Sequence, residues 1–269
     1  MEDYFLGVHQ KEVERLRRQH LAWQPATQQL IQTANLSSCK NILDIGCGPG
    51  FTTFELANAC PSAQITALDK ATLYQNYLKA QITEKKQPNI SPLHADILTL
   101  PQQKGSYDGA FCRWVLAFLI ADLPAILAAI YQKLAPGGVF AAMEYIMVTS
   151  ATSSPPNKSF DANTQAWHNF YLTHGGDATI GTYLPQLLTE AGFVIESNTC
   201  AGGMAPVQHR WWHWWKDAFH DFAPTFVEQG LMTQANFDGL TAYWKEQAAM
   251  ENGFIYTPII SQIVARKSA

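Results

Sequence analysis

The sequence predicts an α/β protein, a doubly wound and mostly parallel sheet of seven strands carrying helical insertions. Three observations lead there. Ile42-Leu-Asp-Ile-Gly-Cys-Gly-Pro-Gly50 runs from an apolar strand into a turn with glycines at 46, 48 and 50, and Phe51 to Ala59 continues as a helix. Apolar strands then alternate with helical stretches from about 40 to 148, the pattern of a parallel sheet covered on both faces. Beyond 148 the alternation gives way to aromatic-rich helical segments, followed by a last strand at 254–265.

Taken in order, residues 1–35 read as an N-terminal helical lid and 36–148 as an α/β core. Ile42, Leu43 and Ile45 form a buried strand, and the glycine turn after it lets a ligand approach bare backbone near a helix N-terminus. The third glycine is at 50, and Phe51 occupies the place where Gly-x-Gly-x-x-Gly requires glycine, which counts against a nicotinamide dinucleotide. Ala63 to Leu68 is a second strand ending at Asp69, 23 residues beyond Gly46. That is close to the ~20-residue offset at which an acid meets a ribose diol, whose two hydroxyl protons a carboxylate can accept together. Ile90 to His94 leads to Asp96-Ile97, and Asp108 to Phe111 leads to Cys112-Arg113-Trp114. Leu134 to Gly138 reads as a turn before the strand Val139 to Tyr145. Residues 149–182 form a helical insertion that opens with a loop at 149–159, and 183–205 supply a core helix and strand. Residues 206–253 form a Trp-rich helical insertion, and 254–269 the C-terminal core strand, with Pro258 marking a bulge or late start.

Taken together, these strand-end motifs resemble class I S-adenosylmethionine-dependent methyltransferases, in particular the small-molecule group around ubiquinone and menaquinone biosynthesis. The resemblance covers roughly residues 1–200 and the last strand. Some of that group begin with a helix like Tyr4-Phe-Leu-Gly7, Arg15-Leu-Arg-Arg-Gln19 and Trp23-Gln-Pro25. It implies a Rossmann-like sheet and S-adenosylmethionine as cofactor. Asp44, Gly46 and Gly48 would line its methionine part, and Asp69, with Lys70 beside it, would hold the ribose. Asp96 would accept from the adenine amino group and the Ile97 N–H would donate to the ring. The Cys112 carbonyl would take the ammonium, and Arg113 or Gln19 would reach the carboxylate.

Composition narrows the partners. Net charge is −4 and no dense basic cluster follows Arg15 to Arg18, which disfavours nucleic acid. The Asp/Asn-Pro-Pro-aromatic signature of base-amino methylation is absent, and Cys-Arg-Trp-Val stands in its place. Five widely spaced cysteines without Cys-x-x-Cys point to a reducing compartment, and no window approaches a membrane span. The expectation is a cytoplasmic protein acting on a small molecule, with no metal.

The conspicuous segment is Trp211-Trp-His-Trp-Trp215. On a helix, Trp211, Trp215, Ala218 and Phe222 share a face, with Trp212 and Phe219 beside it and His209, His213, Lys216, Asp217 and His220 opposite. That face either docks on the body, walls a substrate pocket with Trp114, Tyr145 and Trp211, or meets a membrane surface. The His209, His213 and Asp217 spacing is also compatible with a metal but ordinary for a solvated face. Methyl transfer is a direct displacement needing at most a general base. Candidates by position are Glu144, Tyr145, His168, His174 and His209. Two other readings stay open: a non-catalytic binder of S-adenosylmethionine or S-adenosylhomocysteine, and a nicotinamide oxidoreductase.

Overall fold

The computed structural model describes residues 6–268; Tyr4 and Phe5 of the N-terminal motif lie outside them. Helix α1 (Gln10–Thr33) comes first, capped by the His9 side chain, which accepts from the Glu12 N–H. The core then alternates β1 (Asn41–Ile45), α2 (Phe51–Ala59), β2 (Gln64–Asp69), α3 (Thr72–Lys85), β3 (Ile90–His94), β4 (Tyr107–Arg113), α4 (Leu123–Lys133) and β5 (Leu134–Met147). The short strand β6 (Thr152–Ser154) and α5 (Lys158–Thr173) follow, then α6 (Leu184–Glu190), β7 (Phe193–Ala201) and β8 (Met204–Pro206). The chain ends with α7 (Arg210–Glu228), α8 (Gln234–Ala249), β9 (Phe254–Tyr256) and β10 (Ile259–Lys267).

Seven strands form one sheet in the order β3-β2-β1-β4-β5-β10-β7. All neighbours are parallel except β10, which runs antiparallel to both β5 and β7. The central strands are largely apolar, as burial on both faces demands: Phe140 to Met143 and Ala110 to Cys112 are almost wholly inaccessible. Strand order reverses between β1 and β4, so the crevice beyond their C-terminal ends is where an open α/β sheet binds ligands.

Three local expectations need correction. Leu134 to Gly138 does not stand apart as a turn. It belongs to β5, with a register irregularity between the pairs Tyr107–Leu134 and Gly109–Val139, and Gly137 takes φ +74 to absorb the extra residues. Pro258 does more than delay the last strand. It divides β10 from β9, and β9 pairs between β6 and β8 in a separate three-stranded sheet. Phe254 to Tyr256 therefore lie outside the core sheet, and the 149–159 stretch is tied down through β6 rather than hanging as a loop. Strands of three residues carry too little periodicity to be seen in a sequence.

Helix α1 crosses from the core to α7. His20 Nε2 lies 3.5 Å from Glu55 on α2, and Gln24 and Gln28 donate to the same carboxylate. Toward α7, Arg18 pairs with Asp221 at 2.8 Å and Asp217 at 3.6 Å. Trp23, fully buried, packs among Trp114, Trp211 and Trp214 with ring centroids 4.9–5.8 Å apart. Aromatic pairs at such spacings contribute ~0.5–1.5 kcal/mol beyond area burial. One indole thus ties the N-terminal helix to the end of β4 and to α7.

Candidate active site

A single cavity of about 1070 Å³ lies over the C-terminal ends of β1, β2 and β4 and extends under α1, α5 and α7. Its first half is built by strand ends. Gly46, Gly48 and Gly50 all take positive φ, +60, +54 and +89, which side chains other than glycine adopt at a cost. The three glycines differ in what surrounds them. A Cβ on Gly46 would stand 2.5 Å from Val115 Cγ2 and one on Gly50 2.4 Å from Leu78 Cδ1, whereas one on Gly48 would meet nothing within 4 Å. Gly48 lines the cavity, so the space its missing side chain leaves is room for a ligand against backbone.

Asp69 locks this loop. Its Oδ2 accepts the Gly48 N–H and its Oδ1 the Ala71 N–H, each at 2.8 Å. Burial raises its pKa, and these two backbone donors act against that rise. Asp96 Oδ1 accepts the Leu98 N–H at 2.9 Å, capping the short helical turn that begins at Ile97. Lys70, Asp96 and Ile97 share the cavity wall with Asp69.

Asp44 and Cys112 do not reach the cavity surface. Asp44 is buried behind the loop, where Thr53 donates to its Oδ2 at 2.6 Å, and burial pushes its carboxyl up to about 7. Cys112 is enclosed within β4, and burial likewise raises its thiol. Gln19 and Arg113 do line the wall. Arg113 donates to Thr27 Oγ1 at 2.8 Å and lies 5.2 Å over the Trp114 ring, with burial drawing its pKa down to about 10. Gln19 accepts from Arg15 Nη1 at 2.8 Å, while Arg15 forms a bidentate pair with Glu12 at 2.7 and 2.8 Å.

The second half is aromatic: Trp114, Phe118, Tyr145, Trp167, Tyr171, Trp214 and Trp215 enclose it. Trp114 and Trp214 are nearly parallel, 10° apart with centroids at 6.4 Å, and Trp114 stacks on Tyr145 at 5.9 Å. Here the helical-wheel expectation misplaced a residue. Trp211 stacks on Trp23 at 4.9 Å and does not line the cavity; Trp214, left off the predicted apolar face, does. The reason is that α7 packs on several sides at once. Trp212 meets Trp244 on α8, Trp215 meets Phe160 on α5, and Trp214 meets Trp23 on α1. A one-sided wheel does not describe such a helix.

The catalytic candidates separate by position. Glu144 is wholly buried off the cavity, and His168 is outside its lining. His209 is the cap of α7, its Nδ1 accepting the Trp211 N–H at 3.2 Å. Tyr145 and His174 line the cavity. Burial drives the Tyr145 hydroxyl well above its ordinary value. His174 Nδ1 lies 2.8 Å from the Phe170 carbonyl, which can only accept, so Nδ1 donates there. Tyr74 and Phe118, which no motif marks, also line the wall, as do Trp214 and Arg15 of the N-terminal motif. Among the described residues no group of three or more His, Cys, Asp or Glu side chains is placed to hold a metal, and no helix is long and apolar enough to cross a membrane.

Residues 42–138 match the family model described as "Methyltransferase domain". That stretch runs from β1 into β5 and holds the glycine turn and the strand-end acids Asp69 and Asp96. Over 122 residues it is 31% identical to a demethylmenaquinone methyltransferase of Lactococcus lactis, covering 45% of this chain and 47% of that one. Over 100 residues it is 33% identical to a trans-aconitate 2-methyltransferase of Deinococcus radiodurans, covering 37% and 36%. The chain thus spans half or less of these curated relatives. The N-methyltransferase NodS of Bradyrhizobium japonicum, solved with S-adenosyl-L-homocysteine, superimposes with a TM-score of 0.53 at 17% identity, covering 91% of this chain and 87% of that one. At that identity the likeness shows the fold alone.

Proposed function

We propose that the chain transfers a methyl group from S-adenosylmethionine to a small, largely apolar or aromatic molecule. The observation that carries this is the division of one continuous cavity into a glycine and carboxylate half and an aromatic half. Pockets for small molecules are mostly apolar, with a few polar groups that fix orientation. The residues fit the cofactor: Gly48 leaves backbone open to the cavity, and Asp69 and Asp96 stand at successive strand ends on the same wall.

Bound there, the cofactor supplies an electrophilic methyl on sulfur, open to direct displacement. Gly46, Gly48, Gln19 and Arg113 would hold its amino-acid end, with Asp44 and Cys112 supporting from behind. Asp69 and Lys70 would hold the ribose, and Asp96 with the Ile97 N–H the adenine. Trp114, Tyr145, Tyr171 and Trp214 would orient the acceptor and exclude water, leaving the nucleophile in line. For an acceptor that must lose a proton, His174 would be the base, since its ring lines the cavity. The small-molecule names of the demethylmenaquinone and trans-aconitate enzymes support this size of acceptor.

Calorimetry with S-adenosylhomocysteine and with NAD tests the cofactor; binding of NAD alone would overturn the reading. Incubation of labelled S-adenosylmethionine with a metabolite extract tests the transfer. Label retained entirely on the cofactor, with S-adenosylhomocysteine bound tightly, would favour a non-catalytic binder.

A further inference from the structure

Glu144 has a fully specified environment and no contact with the cavity. It sits near the C-terminal end of β5 at 0% exposure, and its Oε1 accepts the backbone N–H groups of both Val115 and Leu116 at 2.8 Å. Those two residues open the turn that leaves β4. Immediately before them Trp114 takes φ +54, a left-handed conformation uncommon for a bulky residue, while its own N–H donates to the Met143 carbonyl at 2.9 Å. Such a conformation persists only where its surroundings over-determine it.

This turn touches both halves of the cavity. Val115 packs against the glycine loop so closely that a methyl on Gly46 would stand 2.5 Å from it. Trp114 packs on Tyr145, Trp23 and Trp214 and so anchors the aromatic wall. We propose that Glu144 is a positioning residue that sets the spacing between the cofactor loop and the aromatic wall by holding the Trp114–Leu116 turn through its two backbone N–H groups. This inference rests on the methyl-transfer reading for its consequence, though not for its geometry.

What the turn requires is a buried oxygen acceptor at that point, not a charge. Burial pushes the Glu144 carboxyl up to about 7, with the backbone donors opposing the rise, so neutral and ionised forms both occur near neutrality. Either form offers Oε1 as an acceptor, and so does an amide. On its other side, Oε2 and the Ser261 Oγ both lack a hydrogen-bond partner among the described residues, and Glu144 and Ser261 are register partners across β5 and β10.

The test compares Glu144→Gln with Glu144→Leu in the full chain, using S-adenosylhomocysteine as the probe. Glu144→Gln keeps the acceptor and should bind within about twofold of wild type. Glu144→Leu keeps volume but strands two buried N–H groups, and should weaken binding by about tenfold or more, the range that unsatisfied buried donors imply. Its tryptophan emission without ligand should also shift, and the shift should disappear in a Trp114→Phe background. A folded Glu144→Leu protein with wild-type affinity and emission overturns the proposal; so does a Glu144→Gln protein as damaged as Glu144→Leu. Where Glu144→Leu fails to fold, Glu144→Asp withdraws the oxygen by one methylene, and wild-type affinity and emission there overturn it equally. The emission comparison needs no cofactor. It therefore judges Glu144 even if wild type proves not to bind S-adenosylhomocysteine, a result that would sink the functional reading instead.

Discussion

The two halves of the cavity are made in different ways. The cofactor half is backbone: three glycines in left-handed conformations, and two strand-end carboxylates bonded to N–H groups two residues on or across a turn. The half proposed for the acceptor is side chain: indoles and phenols from β5, α5, α7 and the end of β4, with Trp23 joining Trp114 to Trp214. A site of the first kind is fixed by short stretches of chain and tolerates a changing exterior. A site of the second kind depends on the whole cap being assembled.

That contrast predicts the largest effect in the cap. Trp23→Ala removes a fully buried ring touching three others and should cost about 3–5 kcal/mol of stability, the range for such truncations. Chemical denaturation would measure it. A loss below about 1 kcal/mol would mean that the cap does not assemble around this residue.

The glycines offer the next break. Gly46→Ala combines a left-handed backbone, costing about 1–2 kcal/mol, with a 2.5 Å contact on Val115, and should lose about 2–4 kcal/mol in all. Gly48→Ala has the same backbone cost but no clash. It should lose only about 1–2 kcal/mol of stability, while S-adenosylhomocysteine affinity falls sharply because the methyl enters the cavity. Unchanged affinity in Gly48→Ala would remove the loop from the ligand surface. Asp69→Asn should follow, weakening S-adenosylhomocysteine by about 1.5–3 kcal/mol through loss of a charged acceptor. It should leave the cap, read by tryptophan emission, undisturbed.

The same contrast explains what was legible in the sequence. Gly46, Gly48, Asp69, Asp96 and Arg113 could be grouped from the sequence because each sits at a fixed offset from a strand, and all five line the one cavity. The side chains of Asp44 and Cys112 lie behind the cavity lining, since a strand's successive residues alternate between its two faces. In the cap, helix α7 was legible as a helix, but which tryptophan lines the cavity was decided by α1, α5 and α8 together. Arg15 and Tyr74 belong to helices whose docking no local pattern encodes. The β6-β9-β8 sheet escaped because its strands are three residues long and its pairings are distant in sequence.

The smallest effect concerns the buried acids behind each half. Asp44 lies behind the glycine loop and Glu144 behind the aromatic wall, and burial raises both to about 7. Unfolded, such carboxyls titrate near 4. Between those values the folded protein keeps protons that the unfolded chain has released, so stability falls as pH rises and is lowest above about 7. Glu55 runs the other way. Hydrogen bonds from His20, Gln28 and Gln24 lower it to about 2, so its stabilisation is present above about 4 and lost only as pH falls below that. Between pH 5 and pH 8 Glu55 is therefore constant, and the two buried acids contribute a falling slope that His20, whose pKa burial lowers, opposes. Glu144→Gln removes one of them. Relative to wild type it should gain on the order of 1 kcal/mol between pH 5 and pH 8, measured as denaturation midpoints at both values. A difference that does not change with pH would mean that Glu144 stays ionised throughout, held by the Val115 and Leu116 N–H groups. The wall behind the acceptor half would then be fixed by charge, and only Asp44, with Arg113 acting to lower it, would remain to titrate behind the cofactor half.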